Sequence, residues 1–264
     1  MTEWINKIIC GNSDEVMQQI PDACIDLTVT SPPYDNTRNY NGFSFNFPEV
    51  AQQLYRITKK GGVVVWVVGD ATIKGSETGT SFRQALYFKE IGFRLHDTMI
   101  YHKKTPPLTH NRYEQEFEYM FIFSKGKPKT FNPILVDKIY TDNRTKKAFS
   151  RNKTNEHDMG FSSNKTQKIK GNVWTYLVGG NKTTKDKIAF QHPAIFPERL
   201  ARDHIISWSN PGDLVFDPFL GSGTTAKMAL SEGRNYLGIE ISEEYCEIAR
   251  QRITGQTNQI SLLI

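Results

Sequence analysis

The chain has 264 residues, 38% of them hydrophobic, and carries 33 Lys and Arg against 28 Asp and Glu. That length supports one large α/β domain plus an inserted module around a sizeable core. Three cysteines without ligand spacing argue against a disulfide framework and a zinc site. No apolar run approaches the roughly 20 residues of a membrane span, so the chain reads as cytoplasmic with no membrane partner and no metal.

In chain order, Ile25-Asp26-Leu27-Thr28-Val29-Thr30 is a β-branched run that predicts a strand, cut off by Pro32-Pro33. Pro48 to Lys60 has helical spacing at Val50, Leu54 and Ile57, and Gly61-Gly62 is read as its stop. The valines that follow, Val63 to Val68 around Trp66, lack alternation, as in a strand buried on both faces of a parallel sheet. Phe82 to Ile91 predicts a helix, and Met99–His102 and Glu118–Ser124 predict strands. Further on come a helix over Glu198–Trp208, a strand over Leu214–Phe216, a helix over Thr224–Leu230, a strand over Tyr236–Ile239 and a helix over Glu243–Ile253.

Between Lys125 and Lys187 the texture changes. Fifteen Lys and Arg face five Asp and Glu there, against 18 and 23 in the remainder. A basic segment on an acidic body suits a module that tracks phosphates, although a solvated lysine-rich loop would share the composition. Trp174, Tyr176 and Leu177 are its few apolar anchors; the two rings either contact bases or hold the module down. The six histidines have no ligand-pair spacing.

Asp217-Pro218-Phe219-Leu220-Gly221-Ser222-Gly223-Thr224-Thr225 stands between a strand and a helix. Gly221 and Gly223 allow a tight turn close to a ligand, and the helix that follows points free N–H groups at it. Glu240, 23 residues beyond Asp217, ends the next strand, near the roughly 20-residue offset of a carboxylate that grips ribose hydroxyls. The pattern also passes as a dinucleotide fingerprint. Only 41 residues follow Gly223, however, so the remaining strands must precede it and the sheet is circularly permuted.

Thr30-Ser31-Pro32-Pro33-Tyr34 together with Phe219-Leu220-Gly221-Ser222-Gly223 resembles the amino-methylating DNA methyltransferases that use S-adenosylmethionine, in their permuted β group. The likeness spans nearly the whole chain. It implies a doubly wound, mostly parallel Rossmann-like α/β sheet. Residues 1–124 would form the catalytic half, 125–190 a target recognition region and 191–264 the cofactor-binding half. It implies catalytic roles for Ser31, Pro32, Pro33 and Tyr34. Cofactor contacts fall to Asp217, Pro218, Phe219, Gly221, Gly223, Thr224 and Glu240, with Phe196 at the methionine end. Near the adenine the family has Gly-Asp where this chain has Gly11-Asn12, and either Asn12 or Asp14 could fill that place.

The chemistry suits these residue types. An exocyclic ring amine is a poor nucleophile because its lone pair is delocalised. The Ser31 hydroxyl and the Pro32 carbonyl can accept its two N–H bonds and free that pair for in-line attack. Prolines preorganise the acceptors, and Tyr34 offers a face to a base swung out of duplex DNA. Serine at the head of the loop resembles the cytosine-N4 branch, with adenine N6 as the alternative. A protein that keeps the fold but only binds DNA, and an RNA or protein methyltransferase, also remain open. Methylation at cytosine carbon 5 would need a nucleophilic cysteine, typically after a proline, and none of the three follows one. Asp35 and Arg38 read as surface loop residues. Double-stranded DNA is the expected partner, while a cognate restriction endonuclease and the choice between monomer and homodimer are left open.

Overall fold

The computed structural model describes residues 2–34, 45–103, 113–138 and 166–261; Asp35 and Arg38 lie outside them. Strand β1 (Lys7–Cys10) and helix α1 (Ser13–Gln19) come first. Both are too short to show a period, so the sequence pattern does not reveal them. Strand β2 (Ile25–Thr30) is buried at every position except Asp26, and Pro32-Pro33 follows its end.

Helix α2 (Phe47–Ile57) buries Val50, Ala51, Leu54 and Ile57 and passes directly into strand β3 (Thr58–Val68). The expected helix over 48–60 is therefore three residues too long, and Gly61-Gly62 lies inside the strand. Gly61 has φ +82° and its N–H donates to the Lys125 carbonyl at 2.7 Å. The pairing jumps from Ile25–Thr58 to Leu27–Val63, so the glycines make a bulge that shifts register without ending the strand.

A small hairpin, β4 (Thr72–Ile73) and β5 (Ser76–Glu77), precedes helix α3 (Thr80–Glu90). Strands β6 (Arg94–His102) and β7 (Phe117–Ser124) follow. Contacts divide the chain into Met1–Asn132 with Asn172–Ile264, and Pro133–Gly171. In the second unit β8 (Leu135–Asp137) pairs antiparallel with β9 (Gln167–Ile169). The first unit resumes with β10 (Val173–Thr175), α4 (Gly180–Thr183), α5 (Glu198–Trp208), β11 (Leu214–Asp217), α6 (Thr224–Ser231), β12 (Asn235–Glu240) and α7 (Glu243–Ser261).

Eight strands form one sheet in the order β1-β12-β11-β2-β3-β7-β6-β10. All neighbours are parallel except β7, which runs against β3 and β6. The last two strands of the chain thus sit between the first two, which is the permuted wiring that the late glycine turn requires. Alternation sends Val64, Trp66 and Val68 into a core with Met17, Leu54 and Phe88, from α1, α2 and α3. Trp66 is fully buried among Phe47, Phe88 and Phe219 and donates to Gln84 Oε1 at 2.8 Å, so its one polar atom is satisfied. On the other face, Thr225 from α6 donates to the Val29 carbonyl at 3.1 Å.

Trp174 and Tyr176 are buried anchors. Trp174 stacks on His204 at 4.8 Å between centroids, and Tyr176 donates to Asp203 at 2.9 Å. Among the described residues no helix is long and apolar enough to cross a membrane.

Candidate active site

Strands β2 and β11 are parallel neighbours, with Thr28 opposite Phe216, so the loops that leave their ends start side by side. A buried bond ties the loops together. Thr30 Oγ1 donates to Asp217 Oδ1 at 2.6 Å, and the same oxygen accepts the Phe219 N–H at 3.0 Å. Burial pushes the Asp217 carboxyl up to about 6, against the pull of the Thr30 and Thr225 hydroxyls and the Phe219 N–H. Burying this acid costs desolvation, which its hydrogen bonds partly offset while they hold the two loops in one geometry.

Both loops open on one cavity of about 480 Å³. Of the residues singled out from sequence, Ser31, Pro33, Tyr34, Asn12, Phe196, Pro218, Phe219, Gly221, Thr224 and Glu240 line it. Pro32, Asp217 and Gly223 are not on its wall: Pro32 and Asp217 are buried, and Gly223 (φ +85°) lets α6 start against α7, where a Cβ would lie 2.8 Å from Ala249 Cβ.

At the glycine end, Glu240 accepts the Gly221 N–H at 2.8 Å and the Ser242 N–H at 2.9 Å. Burial raises this carboxyl, opposed by the N–H groups of Ser242, Gly221 and Ile241. Each of its oxygens accepts one of these backbone N–H groups and retains lone pairs, an acceptor pair suited to a ribose diol. A Cβ at Gly221 would stand 2.9 Å from His192 Nε2, so only glycine leaves this wall open. His192 packs edge-on to Tyr245 at 4.4 Å, and both rings line the cavity. Asn12 Oδ1 caps α1 by accepting the Asp14 N–H at 3.0 Å. Asp14 does not reach the wall; its Oδ2 accepts the Asn46 N–H at 3.3 Å and burial raises its carboxyl. Ser13, beside Asn12, donates to the Pro218 carbonyl.

Behind the glycine turn is a cluster of four charges around the fully buried Arg252 side chain. Arg252 donates to the Ser222 carbonyl at 2.6 Å, to Thr224 Oγ1 at 3.2 Å, to Asp186 at 3.0 Å and to Glu198 at 2.7 Å. Lys227 reaches the same two acids at 2.7 and 2.8 Å. Burial pushes the Asp186 carboxyl up, but the hydrogen bonds and charges of Lys227 and Arg252 outweigh it and hold the group below its usual range.

The other end contains two groups that the sequence pattern did not flag. Tyr34 Oη lies 2.8 Å from Ser31 Oγ, 3.2 Å from the Val67 carbonyl and 3.0 Å from Glu118 Oε2. Glu118 pairs in turn with Lys103, and both line the cavity. The available signal was an acid at the second position of strand Phe117–Ser124, which is otherwise aromatic and apolar up to its final Ser124.

A permuted nucleoside-binding sheet with a Ser-Pro-Pro-Tyr loop on the same cavity defines a class, the amino-methyltransferases. Comparison with known proteins agrees. The chain belongs to the DNA methylase family of N6 and N4 amino-methyltransferases, whose family model matches residues 25–251. It is 62% identical over 242 residues to the orphan methyltransferase M.BamHII of Bacillus amyloliquefaciens, covering 89% of this chain and 91% of that one. Among solved structures it resembles TTHA0409 of Thermus thermophilus, solved in complex with S-adenosyl-L-methionine (25% identity, 95% and 94% covered, TM-score 0.64). The fold is also that of the cytosine-N4-specific PvuII DNA methyltransferase (21% identity, 96% and 92% covered, TM-score 0.68). The protein is thus a site-specific, S-adenosylmethionine-dependent DNA amino-methyltransferase of the β group.

Proposed function

We propose that the methyl acceptor is the N4 amine of cytosine in duplex DNA, flipped into the cavity. The observation that carries this reading is the opening of the Ser31 and Glu240 loops on one cavity, combined with serine at the head of the first loop. S-adenosylmethionine supplies a methyl group on a sulfonium, an electrophile that needs only an aligned nucleophile. Glu240 would accept from its ribose hydroxyls, Asn12, Pro218, Phe219, Gly221 and Thr224 would shape the wall for its nucleoside, and Phe196 would line the methionine end. Asp217 and Gly223 hold that wall from behind.

The Ser31 hydroxyl on the cavity wall accepts one amine N–H bond, the carbonyl of Pro32, set behind that wall, is the candidate for the second, and Pro33 keeps the loop rigid. The Tyr34 ring offers the flipped base a surface. Residues 1–124 and 191–264 would be the catalytic and cofactor halves, and 125–190 the target recognition region. Its basic surplus and the separate compaction of Pro133–Gly171 support that division. The same cavity suits the N6 amine of adenine, and the matching family spans both targets. A cognate endonuclease gains no support, since M.BamHII is named an orphan.

The test is to incubate the purified chain with duplex DNA and labelled S-adenosylmethionine, then identify the modified base and its sequence context. N4-methylcytosine is the expected product. N6-methyladenine would transfer the reading to the adenine branch, and DNA binding without label would make the chain a binder.

A further inference from the structure

We infer that Glu118, braced by Lys103, is the positioning residue that keeps the Ser31 hydroxyl an acceptor toward the substrate amine; this deepens the proposed amino-methyl transfer and rests on it. Among the described residues, Tyr34 Oη lies within hydrogen-bond distance of Glu118 Oε2 at 3.0 Å, the Val67 carbonyl at 3.2 Å and Ser31 Oγ at 2.8 Å. The first two are acceptors only. The single phenolic proton therefore goes to one of them, and the charged oxygen is the stronger acceptor. With that proton on Glu118, the Tyr34 oxygen is left to accept, so Ser31 donates its own proton to Tyr34. The lone pairs of Ser31 Oγ are then the part that faces an incoming amine.

That polarity is what the chemistry requires. An exocyclic amine presents protons, and a serine free to rotate could set its own proton against them. Lys103 secures the arrangement, because its ammonium occupies Glu118 Oε1 and leaves Oε2 for Tyr34. The side chains of the pair are only 21% and 16% exposed, so water competes weakly for either group. Geometry brings the acid from far away in the chain. Glu118 is the second residue of β7, opposite Tyr101 on β6, and it stands 84 positions beyond Tyr34.

The replacement Glu118→Gln keeps the size and introduces a donor. With Lys103 present, the amide oxygen faces the ammonium and the amide N–H faces Tyr34, where it competes with Ser31 for the phenolic oxygen. The kcat for methyl transfer to duplex DNA should fall about tenfold or more. Cofactor affinity by calorimetry should stay within about twofold, which separates positioning from binding. In a Lys103→Met background the amide can turn round so that its oxygen accepts from Tyr34, and Glu118→Gln should then cost less than about threefold. An equal loss in the two backgrounds, or a Glu118→Gln kcat within about twofold of wild type, overturns the assignment. A second readout does not depend on activity. The Tyr34 ¹³Cζ resonance, identified by its loss in Tyr34→Phe, should shift in Glu118→Gln. An unmoved resonance overturns the network, whereas a shifted resonance in a protein that labels no DNA overturns the reaction and not the network.

Discussion

The glycine turn at one end of the cavity is fixed from behind by four charges, Arg252, Lys227, Asp186 and Glu198, whereas the serine loop at the other end depends on hydrogen bonds that converge on one phenol. Arg252 has a fully buried side chain and makes bonds to backbone, hydroxyl and carboxylate at once. Such a cluster is rigid and costly to break. The phenol-centred chain is weaker but directional, since reversing one proton changes what Ser31 offers. The cofactor end is therefore built for shape and the amine end for polarity, and each should fail in its own way.

Breaking the cluster gives the largest expected effect. Arg252→Met leaves Asp186 and Glu198 short of a partner and should remove about 3–5 kcal/mol of stability in urea unfolding; a loss below about 1 kcal/mol would mean that the charges are solvated. Ser31→Ala should lower kcat by about 10²–10³, or roughly 3–4 kcal/mol, by analogy with lost oxyanion donors. Its urea midpoint and cofactor affinity should stay put, and equal loss of turnover and affinity would contradict the division between the two ends.

Asp217 joins the ends and sharpens the comparison through pH. Its folded value of about 6 lies above the ordinary 3.8, so the folded chain holds this proton more tightly than the unfolded one. The corresponding stability is fully present below about pH 4 and is lost as pH rises through about 6. The shift is worth about 3 kcal/mol. Asp217→Asn should flatten this decline when unfolding is followed from pH 4 to 7.5; an unchanged profile would place the titration elsewhere. The smallest effect belongs to the basic region. Lys168→Glu, at an exposed position of β9, should weaken DNA binding and lower the salt slope by about 1 or more. An unaltered slope would make that face a solvated one.

Much of this was legible in the chain itself. The run of β2, helix α5 and strand β12 show plain periods with firm stops, and the late position of Gly223 told how the sheet had to be wired. Gly61-Gly62 misled, because glycine marks a bulge as readily as an end, and only the pairing partner decides. β10 was hidden by its three-residue length, although Trp174 inside it signalled an anchor. The site was legible where motifs are local. Glu118, Lys103 and Arg252 were not, because each acts on a loop through a neighbouring element, and single-sequence patterns do not record such pairings.

The reversed direction of β7 has one more consequence. Parallel strands bring their exits to the cavity, but β7 brings its entrance: Tyr119 faces Val68 at the last position of β3, and Phe117 faces His102 at the last position of β6. Glu118 is thus moored by the ladder downstream of it. The paired residues of β7, rather than the chain that leads into them, therefore keep the carboxylate in its place.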